Sequence, residues 1–277
     1  MEILVAKSAD FCFGVRRAIR LAKRTAKREG EVYTLGPLIH NPQVVSELEQ
    51  EGVVARKSAD EIKSGVVIIR SHGLPKEELA RLREGKLSWL DATCPYVKRV
   101  QEIVEKLSTE GYSVLVVGDK GHPEVRAILS FFQPAGKIRV IADAREACQL
   151  DVNGKLGLLA QTTQSGEIFQ EVIRVLVSKV SELRIFNTIC PATGERQREA
   201  RELAKLVDCM VVVGGDNSAN TARLARLCRA IQPKTYRVET AAELKEDWFA
   251  GCRRVGVTAG ASTPKKRVEE VVAKIIS

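Results

Sequence analysis

A cysteine-led unit recurs three times along this chain, and that recurrence constrains the fold more than any other feature of the sequence. Cys12-Phe13-Gly14-Val15, Cys94-Pro95-Tyr96-Val97 and Cys190-Pro191-Ala192-Thr193 each open a stretch of helical pattern. After Cys12 the apolar set is Val15, Ala18, Ile19 and Ala22, stopping at Gly30; after Cys94 it is Val97, Val100, Val104 and Leu107, stopping before Gly111. Ala200, Leu203, Ala204 and Val207 form the third set. A short apolar run and a polar loop come next, placing His40, His122 and Ser218 each 28 residues after its cysteine. A second run and loop follow with looser spacing: His72 lies 60 residues after Cys12, Thr162 68 after Cys94 and Ser262 72 after Cys190. Three copies in matching order indicate an internal repeat. The prediction is an α/β chain of three pseudo-symmetric domains, over residues 1–92, 93–188 and 189–277.

The apolar runs are Val32 to Leu35, Val66 to Ile69, Val114 to Val117, Leu156 to Ala160, Met210 to Val213 and Val255 to Thr258. Bounded by glycine and polar residues, they read as buried parallel strands. Open α/β sheets collect ligands beyond the carboxyl ends of their strands, where all six polar loops fall. The expectation, which the sequence by itself does not force, is that the three sets of loops face one common centre.

At 277 residues and 44% hydrophobic content the chain has material for a sizeable core. No apolar run is long enough to cross a bilayer, and Met1 to Val5 lacks the regions of a signal peptide, so the expected location is the cytosol. Its 44 Lys and Arg against 35 Asp and Glu give a net charge of +9, which favours anionic partners. Aromatic content of 5% without a basic-aromatic stripe argues against a single-stranded nucleic-acid platform.

Seven cysteines, an odd number in a chain of this size, do not read as a disulfide framework. Cys148, Cys209, Cys228 and Cys252 read as small buried hydrophobes. Cys94 and Cys190 differ: each precedes a proline, which suits the first helical position and puts the cysteine at the N-cap, where the helix dipole favours a thiolate. Zinc sites commonly use close pairs such as Cys-x-x-Cys, and none occurs. One thiolate per repeat fits a four-iron cluster better, leaving one iron open as a Lewis acid.

All three histidines, His40, His72 and His122, lie in the polar loops. His40-Asn41-Pro42, His122-Pro123 and Ser262-Thr263-Pro264 precede expected helix starts, whose free N–H groups attract phosphate; with Ser218 and Asn220 they suit a diphosphate. Glu124, two positions after His122, reads either as a first-turn partner of the helix dipole or as a proton donor to a leaving hydroxyl. Thr162 and Thr163 read either as relays or as caps. Neither a Gly-x-Gly-x-x-Gly fingerprint nor a phosphate-loop motif is present, so nicotinamide and ATP are not expected, and a reductase with no electron carrier beyond the cluster would need an external donor protein, for which the basic surplus suits an acidic one.

At these residues the sequence closely resembles the 4-hydroxy-3-methylbut-2-enyl diphosphate reductase family, over essentially its whole length. The resemblance is carried by Phe11 to Val15, Gly36-Pro37 with His40-Asn41-Pro42, Ser71-His72-Gly73, Asp91 to Pro95, His122-Pro123-Glu124, Gln161-Thr162-Thr163, Cys190 and Gly260-Ala261-Ser262. It implies a trefoil of three α/β domains around a [4Fe-4S] cluster held by Cys12, Cys94 and Cys190, with the fourth iron open to the substrate hydroxyl. It further implies an oxidoreductase that removes that hydroxyl with two electrons and two protons, giving isopentenyl and dimethylallyl diphosphate, with ferredoxin or flavodoxin as donor. His40, His72, Ser218, Asn220 and Ser262 would then hold the diphosphate, His122 would assist binding and protonation, and Glu124 with Thr162 would supply protons. Ala219 stands where some members carry a second serine, which removes one hydroxyl from that contact. From the residues alone, an open-iron hydro-lyase is the alternative; a zinc-containing nucleic-acid binder lacks any recognisable motif.

Overall fold

The computed structural model describes residues 1–133 and 136–277. Its twelve described strands form three four-stranded sheets, and every pairing is parallel. After β1 (Glu2–Val5) and α1 (Phe13–Glu29), one sheet takes β2 (Val32–Leu35), β3 (Val53–Arg56), β4 (Val66–Ile69) and β5 (Ser88–Asp91) in the order β3-β2-β4-β5. The next takes β6 (Ser113–Val117), β7 (Ile138–Ile141), β8 (Lys155–Ala160) and β9 (Glu182–Phe186) in the order β7-β6-β8-β9. The last takes β10 (Cys209–Val213), β11 (Thr235–Val238) and β12 (Arg254–Ala259), and its fourth strand is β1, in the order β1-β12-β10-β11.

The three sheets thus share one topology. In each, the chain steps to one side after the first strand and returns to the other, so the direction reverses between β2 and β4, between β6 and β8, and between β10 and β12. Those pairs are the switch points where a crevice opens at the carboxyl ends. The six strands read from apolar runs are these six central strands. β10 is buried throughout, and β8 and β12 along all but their first residue, because helices cover both faces.

Two compact units make up the chain, one of Met1–Arg16, Ile39–Val45 and Pro191–Ser277, the other of Arg17–Leu38 and Ser46–Cys190. The first holds the sheet containing β1, the second the other two. Helix α4 (Pro95–Thr109) packs on its sheet so closely that a Cβ on Gly157 would sit 2.5 Å from Leu107 Cδ1. Helix α8 (Pro191–Leu206) repeats the contact, since a Cβ on Gly256 would meet Leu203 Cγ at 3.0 Å. Gly157 and Gly256 occupy the same position in β8 and β12, so α4 and α8 seat on their sheets in the same way, while β4, Val66–Ile69, has no glycine under α1.

Candidate active site

In the larger unit the loop after β4 presents Ser71 and His72. Ser71 donates through both N–H and Oγ to the Leu38 carbonyl, at 3.4 and 3.2 Å, joining the two loops of the first switch point. The Cys94 N–H donates to the Ser71 carbonyl at 3.0 Å, so the cysteine is held beside His72 by extension of the strand pairing. Cys94 is the N-cap of α4, with Pro95 as its first helical residue.

The His72 ring meets the His122 ring edge-on, with centroids 5.7 Å apart. His122 is the N-cap of α5 (Pro123–Leu129), its Nδ1 accepting the Glu124 N–H at 3.1 Å. In the neutral ring this bond places the proton on Nε2. Glu124 is 2% exposed, and its carboxylate is gripped at both oxygens by one residue: Thr162 N–H donates to Oε1 at 2.7 Å and Thr162 Oγ1 to Oε2 at 2.8 Å. The Thr162 carbonyl in turn accepts the Cys190 N–H at 2.9 Å. Gln161, fully buried, accepts the Asp119 N–H at 2.9 Å and so fastens the loop after β6 to the loop after β8. The larger unit therefore brings Cys94, His72, His122, Glu124, Thr162 and Cys190 into one connected chain of contacts. Thr162 caps no helix; Ser165 stands at the N-cap of α7 (Gly166–Leu176).

The smaller unit assembles the other residues. Ser262 Oγ donates to the His40 carbonyl at 2.8 Å, and Asn41 Nδ2 donates to the Ser262 carbonyl at 3.0 Å. Ser218 caps α9 (Ala219–Arg229), its Oγ accepting the Thr221 N–H at 3.2 Å. Among the described residues no acceptor meets the buried Nδ2 of Asn220. A donor left in that state costs free energy unless a ligand oxygen meets it, which suits an anionic group above α9. Cys12 N–H donates to the Ala261 carbonyl at 3.0 Å, and the Cys12 sulfur accepts the Val15 N–H at 3.5 Å, capping α1.

Two residues without an expected role set the Cys12 loop. Arg196, 3% exposed, donates to the carbonyls of Ala259 at 3.0 Å and of Ser8 and Asp10 at 2.6 Å each. Glu199, one turn on, accepts the N–H groups of Lys7 and Ser8 and the Ser8 hydroxyl. Cation on carbonyls and anion on amides hold both edges of one backbone segment. A signal existed: Arg196 precedes Ala200, Leu203, Ala204 and Val207 by 4, 7, 8 and 11 residues, so the cation lies on the helix's apolar stripe.

Cys12, Cys94 and Cys190 are partly exposed free thiols. Burial pushes the Cys228 thiol up to about 12, and burial with the neighbouring Cys252 does the same to Cys209, so these two stay protonated and inert at neutral pH. Among the described residues no group of three His, Cys, Asp or Glu is arranged to hold a metal ion. The fit of the three thiols to a cluster therefore rests on their donor chemistry and their placement at helix N-termini.

Three parallel α/β sheets whose cysteine, histidine and threonine side chains gather in the loops beyond the strand ends define a protein of the open α/β class, in which ligands collect at those ends. A family model described as LytB protein matches residues 3–276, and the chain belongs to that family. It is 52% identical over 275 residues to the 4-hydroxy-3-methylbut-2-enyl diphosphate reductase of Geobacter sulfurreducens and 51% identical to that of Geobacter metallireducens, in each case over 99% of this chain and 97% of the relative. A solved structure of (E)-4-hydroxy-3-methyl-but-2-enyl diphosphate reductase, described as the terminal enzyme of the non-mevalonate pathway, is 45% identical with a TM-score of 0.70, covering 100% of this chain and 99% of that one. The structure of the reductase from Plasmodium falciparum, 24% identical, covers 100% of this chain and 88% of its own with a TM-score of 0.94, and shows the shared fold. Among the described residues no helix is long and apolar enough to cross a membrane.

Proposed function

We propose that this chain is a cytoplasmic oxidoreductase that removes the hydroxyl of (E)-4-hydroxy-3-methylbut-2-enyl diphosphate, giving isopentenyl and dimethylallyl diphosphate. The observation that carries the reading is the buried Glu124 carboxylate, bonded at both oxygens by Thr162 and joined through it to Cys190. A carboxyl that buried, within a network that runs on to the Cys190 amide and to the His122 and His72 rings, is suited to hold a proton for transfer to a leaving hydroxyl.

Cys12, Cys94 and Cys190 would hold a [4Fe-4S] cluster with one iron free of protein ligands, which when bound supplies electrons and Lewis acidity. His40, His72, Ser218, Asn220 and Ser262 bind and orient the diphosphate; the uncommitted Asn220 amide supports this. His122 offers its Nε2 proton toward substrate while its Nδ1 is tied to the Glu124 N–H. Glu124 holds the proton that leaves with the hydroxyl as water, and Thr162 fixes the carboxyl and can relay the proton through Oγ1. Two electrons and two protons balance the loss of water and the new C–H bond. The electrons come from a small redox protein such as ferredoxin or flavodoxin. The periodic boundaries at residues 92/93 and 188/189 divide the chain into its three proposed functional repeats.

The test is anaerobic purification with iron and sulfide counts, followed by substrate turnover with and without dithionite. Near four irons and four sulfides per chain, with product formed only when dithionite is present, is the expected result. Turnover without a reductant would make the chain a hydro-lyase. Cys12→Ser, Cys94→Ser and Cys190→Ser should each lose iron while Cys148→Ser does not; full iron in all three would remove the ligand assignment.

A further inference from the structure

We infer that the exposed face of α1 is the docking surface for the acidic redox protein that supplies electrons, an inference resting on the reductase reading. Helix α1 begins on the residue after Cys12 and carries Arg16, Arg17, Arg20, Lys23, Arg24, Lys27 and Arg28 against a single acid, Glu29. Three of these cations are committed. Arg16 pairs with Asp10 at 3.0 Å, Lys23 pairs with Glu51 at 2.6 Å, and Arg17 donates to the carbonyls of Asp91 and Thr93 at 3.2 Å each. Arg20, Arg24, Lys27 and Arg28 are exposed and, among the described residues, make no ion pair or side-chain hydrogen bond.

Their spacing puts these four on one side of the helix, opposite the buried Ala18, Ala22 and Ala26. Lys27 and Arg28 lie in the last turn, where the helix dipole itself favours cations. Arg20 and Arg24 have no such reason. Like charges four residues apart cost a few tenths of a kcal/mol for each pair, so an unrelieved row of them works against the helix and calls for an external partner.

Location selects the partner. Arg20 lies seven residues beyond Phe13, about 10 Å along the axis at 1.5 Å per residue, so the cationic row leads toward the Cys12 end of the helix. Arg17 seats the same helix on the segment Asp91 to Thr93, immediately before Cys94. At its first turn α1 exposes Phe13 at 63%, one residue after the proposed cluster ligand Cys12 and, seven residues before Arg20, on the same side of the helix as the cationic row. An exposed aromatic in line with a cationic row has the composition of an association site: the aromatic anchors, while flanking charges steer encounter and set salt dependence. An acidic redox protein seated there would deliver electrons to the thiol end of α1, and the net charge of +9 steers it in.

The experiment uses the cluster-loaded full chain and the double variant Arg20→Glu with Arg24→Glu, which keeps good helix formers at both sites. Turnover of the diphosphate substrate is followed with reduced flavodoxin, with reduced ferredoxin and with dithionite. The expected result is a rise of about tenfold or more in the KM for whichever protein donor the unaltered chain accepts, with a flatter salt dependence, unchanged iron content and unchanged dithionite turnover. An unchanged KM for that donor overturns the inference, as does an equal loss with dithionite, or acceptance by the unaltered chain of dithionite but neither acidic protein. Loss of DNA binding by the variant without a change in donor KM assigns the face to nucleic acid instead. Failure of the unaltered chain with dithionite would sink the reductase reading and is distinguishable from all of these.

Discussion

Replacing Arg196 with methionine tests the clamp that sets the Cys12 loop. Methionine fills most of the buried volume and leaves no cation for the carbonyls of Ser8, Asp10 and Ala259. Each hydrogen bond from a charged donor is worth about 1.5–3 kcal/mol, but the carbonyls regain part of that by local relaxation, and a broken buried charge cluster typically costs about 3–5 kcal/mol in all. Because the bonds converge on residues 8 to 10, the loss falls first on local opening of that loop, where about 3 kcal/mol corresponds to roughly a hundredfold loss of protection. Amide exchange at Lys7 and Ser8, and alkylation of Cys12 in the cluster-free chain, read this directly. Protection should fall about a hundredfold in Arg196→Met; a change below about threefold would refute the clamp. Glu199 supplies the pH arm. Burial raises its carboxyl, but the bonds from Ser8 and Lys7, with the Arg196 charge, outweigh burial and leave it below its ordinary value. A depressed carboxyl contributes stability that is complete above the ordinary carboxylate range and lost as pH falls through the lowered value, so loop protection should collapse on the acid side and hold at neutral pH.

Glu124→Gln keeps the shape of the carboxyl and its bond from the Thr162 N–H but removes the exchangeable proton, so turnover should fall about a hundredfold or more with iron content intact. Unchanged turnover would end the proton role of Glu124. Thr162→Ser preserves the hydroxyl bonded to Glu124 Oε2 and should stay within a few-fold of normal, whereas Thr162→Val should approach the Glu124→Gln loss; equal rates for the two would show that the hydroxyl does nothing. Cys209 and Cys228, held at about 12 in the fold, ionise near 8.5 when unfolded. Above that value the unfolded chain sheds protons that the folded chain keeps, so stability should fall with rising pH by up to about 1.4 kcal/mol per unit for each thiol, an effect that Cys209→Ala and Cys228→Ala together should abolish in alkaline denaturation curves.

The parts of the fold legible in the sequence are those whose burial is uniform. Met210 to Val213 and Leu156 to Ala160 read as strands because helices cover both faces of β10 and β8, leaving no polar position to break the run. The edge strands have no such signature: β5 is Ser88-Trp89-Leu90-Asp91 and β9 is Glu182-Leu183-Arg184-Ile185-Phe186, both half-exposed and charged, as edges must be to avoid pairing with other chains. The polar loops were legible for the opposite reason, since histidine, threonine and asparagine at strand ends have little to do with packing. For Arg196 the sequence carries only its place on the apolar stripe of α8, because its three acceptors are backbone carbonyls, and two of the three donors to Glu199 are backbone amides, groups that carry no mark in the sequence.

Those unread edge strands explain why the cysteines recur. β5 ends three residues before Cys94 and β9 four before Cys190, so each cysteine follows the fourth strand of a sheet and opens the helix leading to the next sheet. Cys12 follows β1 by seven residues, and β1 completes the sheet of β10, β11 and β12, pairing Val5 with Val257. The N-terminal strand therefore supplies to the last sheet what β5 and β9 supply to the others. Each thiol sits at a joint in the connectivity, between the last strand of one sheet and the first helix of the next repeat. On the proposed ligand set, which takes one thiol from each joint, replacing any single one of Cys12, Cys94 and Cys190 should cost the chain its iron, and iron counts on the three variants check this.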